Sequence, residues 1–144
     1  LLDKGDAVRA AVVYFPGSKK KEMTEISRSL ARGIESQGVS VDLIDGERDI
    51  NTKLTIYNYI ALGAVGTTIL GGKIDPAIAR FLSNSGMVAG KRSFAFLVKK
   101  GLRNTRTLRV LMNAMEHEGM FLKLSDVFRM PEEAEAIGKK LHLE

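Results

Sequence analysis

Val8-Arg9-Ala10-Ala11-Val12-Val13-Tyr14-Phe15 is followed by Pro16-Gly17-Ser18, then by a largely polar stretch to Gln37, then by Gly38 and Val39-Ser40-Val41-Asp42-Leu43. This opening segment decides the fold. Val8 to Phe15 is a short run rich in β-branched and aromatic residues, long enough for one buried strand. Pro16-Gly17-Ser18 marks a turn. From about Glu22 to Gln37 the apolar residues Ile26, Leu30 and Ile34 recur every fourth position, which gathers them on one face of a helix. Gly38 falls where a left-handed helix C-cap is expected. Val39, Val41 and Leu43 then alternate with polar residues as a second strand, ending at Asp45-Gly46. Strand, helix and strand in this succession form a right-handed βαβ unit with parallel strands.

The same alternation continues outward. Glu47 to Lys53 is polar and leaves room only for a short helix or a loop. Tyr59 to Val65 reads as a third strand with small residues, Gly63 and Ala64, near its end. Pro76 opens a helix carrying Ile78, Phe81 and Leu82, in keeping with the preference of proline for the first helical turn. Phe94 to Val98 is a compact fourth strand. Asn104 or Thr105 is placed to cap a helix whose Leu108, Leu111, Met112 and Met115 form another apolar stripe. Phe121 to Val127 reads as a fifth strand. Pro131, with Glu132 and Glu133 behind it, starts a last helix with negative charge at its favoured end, anchored by Ile137 and Leu141. Strands at intervals of roughly 25–30 residues separated by helices are the pattern of repeated βαβ units. The expectation is one doubly wound α/β domain over residues 1–144, with a five-stranded parallel sheet and helices on both faces.

Composition narrows the chemistry. The 144 residues are 44% hydrophobic and 27% charged, the balance of a globular chain. With no cysteine there is no disulfide framework, no thiolate nucleophile and no sulfur-ligated metal. His117 and His142 are too few for an imidazole-built metal centre. No apolar run reaches the length of a membrane span and no signal peptide is legible, so a cytoplasmic location is expected. The absence of an initial methionine leads us to expect a trimmed chain or an excised domain, and Leu143-Glu144 is expected to be a remnant without a role. The net charge is +5 and the isoelectric point about 9.6. Such a surplus suits phosphate-bearing ligands or acidic partner proteins. Nucleic acid is not expected, because the basic residues are dispersed and no binding motif accompanies the nine aromatics.

In an open parallel sheet, ligands bind beyond the carboxyl ends of the strands. The segments to inspect are Pro16 to Thr24, Gly66 to Lys73 and Lys99 to Thr105. Here Gly66-Thr67-Thr68-Ile69-Leu70-Gly71-Gly72-Lys73-Ile74-Asp75-Pro76 resembles the flavin loop of the flavodoxin family, and Ile26-Ser27-Arg28-Ser29-Leu30-Ala31-Arg32-Gly33-Ile34 is similar to that family's first helix. The order of elements agrees over nearly the whole chain. The resemblance implies strand order 2-1-3-4-5, FMN as cofactor and electron transfer as function, with no side chain needed as acid or base. By the same resemblance, Gly17, Ser18, Lys19, Lys20 and Thr24 hold the FMN phosphate, while Gly66, Thr67, Thr68, Ile69, Leu70, Gly71 and Gly72 border the flavin. Backbone amides at Gly66–Gly72 and at Lys99, Lys100 and Gly101 then bond the flavin edge. A basic surface implies an acidic redox partner protein.

The chain departs from the family pattern in two places. The first loop is about two residues longer than usual, and Lys21 and Met23 stand where the family has a glycine and its second threonine. No aromatic lies in Gly66–Lys73 or Lys99–Thr105, so Leu70 and Leu102 take the stacking positions. Each stacking contact contributes on the order of 1 kcal/mol, and losing two weakens binding roughly tenfold to a hundredfold. Two alternatives therefore stand beside FMN electron transfer. One is an interaction module that keeps the sheet without the flavin, and the other an FMN-dependent oxidoreductase of the quinone-reductase type.

Three other candidates are set aside. Thr67 to Ile74 has a superficial likeness to a nucleotide P-loop, but Thr67 stands at the first required glycine and Ile74 at the metal-binding hydroxyl. Glu116, His117 and Glu118 are consecutive, so a helix splays them apart. Asp42, Asp45 and Asp49 lack the acids after strands one and three that a receiver-type acidic pocket needs.

Overall fold

The computed structural model describes residues 8–66, 73–99 and 104–144. In chain order the elements are β1 (Arg9–Phe15), α1 (Lys20–Glu35), β2 (Ser40–Asp45), β3 (Tyr59–Val65), α2 (Pro76–Ser83), β4 (Arg92–Val98), α3 (Asn104–His117), β5 (Phe121–Phe128) and α4 (Pro131–Gly138). The strands form one parallel sheet in the order β2-β1-β3-β4-β5, as expected.

Alternation along the central strands divides the core in two. Ala10, Val12, Tyr59, Ala61, Phe94 and Phe96 face α1 and α4, meeting Met23, Ile26, Leu30, Ile34 and Ala134. Ala11, Val13, Phe15, Ile60, Leu62, Ala95 and Leu97 face α2 and α3, meeting Ile78, Phe81, Leu111 and Met115. Gly63 is small because its register partner on β4 is Phe96, whose ring lies where a Cβ would project. That ring in turn stacks on Phe94 with centroids 6.0 Å apart.

The structure moves several boundaries. Helix α1 begins at Lys20, so the β1–α1 connection is only residues 16–19, shorter than the sequence reading made it. Lys20 and Lys21 lie in the first helical turn. Met23, read as a loop residue, is fully buried and extends the stripe of Ile26, Leu30 and Ile34. The first turn carries no apolar residue, so hydrophobic periodicity has nothing there to mark its start. The β2–β3 connection at 46–58 is a loop of turns rather than a helix. It covers the α2/α3 face by burying Leu54 and Tyr57, and Leu54 N–H donates to Ser85 O at 2.7 Å. Lys91 Nζ also ties it down, donating to Thr55 O at 2.5 Å and to Tyr57 O. Helix α3 is described from Asn104, with both Asn104 and Thr105 helical, and the residues before it lie outside the described ones. In α4 and beyond, Leu141 is buried as expected, Ile137 only partly. Leu143 is also buried in the α1/α4 core, so the terminal dipeptide is not idle.

Candidate functional site

Strands β1 and β3 are hydrogen-bonded neighbours, and their carboxyl ends open into a cavity of about 360 Å³. Its wall is apolar, formed by Phe15, Ala64, Val65, Ile74 and Ile78, and its rim is polar, formed by Gly17, Ser18, Glu47 and Asp75. Each wall residue follows from the sheet. Phe15, the last residue of β1, pairs in register with Ala64, the last but one of β3, and Phe15 is fixed edge-on against Phe81 with centroids 5.5 Å apart. Ile78 projects from the first turn of α2, whose start is set by Pro76 and by Asp75, the side chain of which accepts from Ala77 N–H at 2.9 Å.

On the β1 side the chain reverses at Gly17, which has φ +53, a conformation that favours glycine. Lys19 N–H closes the turn onto Pro16 O at 2.9 Å, and the first intrahelical bond runs from Met23 N–H to Lys19 O. Lys19, at the N-cap, offers no side-chain acceptor. The amides of Lys20, Lys21 and Glu22 thus precede the first helical bond and form the positive end of the α1 dipole. Glu22 is the acidic residue of that turn.

The residues anticipated from sequence divide into three groups. Gly17, Ser18, Lys19, Lys20 and Thr24 all lie in the β1–α1 turn or the start of α1, and Gly17 and Ser18 reach the cavity rim. Gly66 also lines the cavity, but its N–H already donates to Val98 O at 3.1 Å. Lys99, just after β4, likewise donates its N–H to Phe128 O at 2.9 Å. Those two amides continue the sheet ladder. Thr67, Thr68, Ile69, Leu70, Gly71, Gly72, Lys100 and Gly101 lie outside the described residues, as does Leu102.

Sequence reading missed Phe15, Glu47 and Asp75 as rim or wall residues. Glu47 was legible in principle. In the order 2-1-3-4-5 strand β2 flanks β1, so the turn after β2 must stand beside the turn after β1. Gly17 N–H donates to Glu47 Oε1 at 2.7 Å. The neighbouring Arg48 is turned onto Asp49, at 3.3 Å, and that partnership raises its pKa above the usual guanidinium range. Among the described residues no group of His, Cys, Asp or Glu could hold a metal ion, and no helix is long and apolar enough to cross a membrane.

No protein-family model and no curated protein matches the chain. Solved structures do. Oxidised flavodoxin 1 from Bacillus cereus superposes with a TM-score of 0.68 at 17% identity, over 90% of this chain and 94% of that one. Two-electron-reduced flavodoxin from Megasphaera elsdenii gives 0.66 at 16% identity, over 90% and 96%. A flavone reductase gives 0.72 at 11% identity, over 92% of this chain and 61% of the reductase. At these identities the likeness establishes the fold: the chain has the flavodoxin-like architecture.

Proposed function

We propose that this protein binds FMN at the carboxyl edge of β1 and β3 and passes electrons to or from an acidic partner protein in the cytoplasm. The observation that carries the reading is the cavity of about 360 Å³, apolar in its wall and flanked by the start of α1. The residues present suit the cofactor. A flavin ring needs an apolar slot, which Phe15, Val65, Ile74 and Ile78 supply. A phosphate needs N–H donors and positive charge, which the first amides of α1 and Lys19, Lys20 and Lys21 supply. Bound there, FMN would supply the redox chemistry. The chain's own residues would anchor the phosphate, exclude water from one side of the ring and present lysines to an acidic partner. The fold neighbours support this reading, since they include flavodoxins in oxidised and in reduced form.

A second reading has its own observation. The Gly17 amide that a phosphate would seek is satisfied by Glu47, as in a module that has no need of a flavin. The visible spectrum of the purified protein separates the two. We expect a flavin absorption band that co-elutes with the protein after incubation with FMN and gel filtration. A protein peak that stays colourless would favour the flavinless module.

A further inference from the structure

We propose that Glu47 is an internal anion that competes with a ligand phosphate for the β1–α1 turn, and so sets how far the site prefers FMN over phosphate-free riboflavin. The proposal rests on the flavin reading above for its ligand, but its geometry stands independently.

Glu47 is held in place by its neighbours. The β1–β2 ladder ends at the pair Tyr14 and Asp45, and Gly46 N–H prolongs it by donating to Tyr14 O at 2.9 Å. Gly46 has no room for a side chain, since an added Cβ would stand 2.6 and 2.8 Å from Phe15 ring carbons. Asp45, only 5% exposed, turns its Oδ1 onto the amides of Glu47 at 3.0 Å and Arg48 at 3.3 Å. Its carbonyl accepts from Asp49 N–H at 2.8 Å. A buried aspartate, a glycine under an aromatic ring and a closed turn thus fix the backbone from which Glu47 reaches Gly17. Within the turn, the Gly17 N–H donates to that carboxylate, 2.7 Å away.

A carboxylate accepts hydrogen bonds and cannot donate them. Glu47 therefore satisfies the turn when no other anion is present and repels a phosphate that approaches it. Riboflavin lacks the phosphate and meets no such opposition. Asp75, on the opposite rim, adds to the negative side of the balance, while Lys19, Lys20 and Lys21 oppose it. Glutamine at position 47 keeps the length and one accepting oxygen, removes the charge and puts an NH2 donor in place of the other oxygen.

The test compares the wild-type protein with Glu47→Gln, titrated separately with FMN and riboflavin, with unfolding midpoints confirming that both are folded. FMN should bind roughly tenfold more tightly to the variant, the order expected for one hydrogen-bonded charge, with riboflavin unchanged. Measurable binding with the same FMN-to-riboflavin ratio in both proteins would overturn the role of Glu47 and leave the flavin reading standing. If neither protein binds either flavin, the flavin reading fails, and inorganic phosphate decides the Glu47 proposal by itself. Followed at the Gly17 amide by NMR, phosphate should perturb the variant at roughly a tenth of the concentration that perturbs the wild type. Equal phosphate midpoints would overturn the competition.

Discussion

Replacing Gly33 with valine should destabilise the protein by about 3 kcal/mol, the upper end of what forced overpacking costs in a close-packed core. Helices α1 and α4 meet through Gly33 and Gly138, with no side chain between them. A Cβ on Gly33 would overlap the carbonyl oxygen of Glu135 and stand 2.9 Å from Gly138 Cα and 3.0 Å from Lys139 N. These are backbone atoms, so α4 as a whole must lift. Its displacement would uncover Ala134 and disturb Leu141 and Leu143 behind it, all of which close the core on that face. It would also break the bonds that Gln37 Nε2 donates to Gly138 O at 2.7 Å and Leu141 O at 3.1 Å. The ion pair of Arg32 with Glu135 at 3.2 Å would be lost as well, but it is exposed and contributes little. Urea unfolding followed by circular dichroism reads the change. A midpoint equal to that of the wild type would mean that α1 and α4 do not pack this closely.

Replacing Lys19, Lys20 and Lys21 together with glutamine should weaken FMN by roughly tenfold or more and leave riboflavin nearly unaffected. Lys19 holds the N-cap of α1, and Lys20 and Lys21 open its first turn, so all three charges stand at the end of the helix that already favours an anion. Only FMN carries a phosphate for them to meet. The difference between the two flavins should shrink as salt rises, because exposed charges are screened over about 10 Å at 0.1 M ionic strength. Equal weakening of both flavins would show that the lysines act on the ring or on stability instead. This triple substitution and Glu47→Gln act on the same phosphate with opposite signs, so combining them should restore part of the lost FMN affinity.

The succession of strands and helices was legible because each strand is a short apolar or alternating run and each helix shows its stripe, Ile26, Leu30 and Ile34 most plainly, whereas the sheet order came from the family resemblance alone. The start of α1 was not, since Lys20, Lys21 and Glu22 have high helix propensity but no apolar member to report it. The close approach of α1 and α4 was also hidden. Gly33 and Gly138 lie far apart in the chain, and a glycine that admits a neighbouring helix looks in sequence like any other glycine. Leu143 could not be distinguished from a terminal tail until the α1/α4 core was seen to include it. In the site, the β1–α1 turn was readable from Pro16-Gly17-Ser18. Glu47 was not singled out, because its importance comes from β2 standing beside β1, and attention to the ends of strands one, three and four passes over it.

Calorimetric titration of FMN into the purified protein tests the central claim most directly. The account predicts saturable binding of one FMN per chain. It also predicts that introducing a negative charge into the apolar wall, as in Val65→Glu, abolishes that binding without unfolding the protein, since Val65 is only partly buried at the cavity. Heats that show no binding at high micromolar FMN, or binding that Val65→Glu leaves untouched, would contradict it.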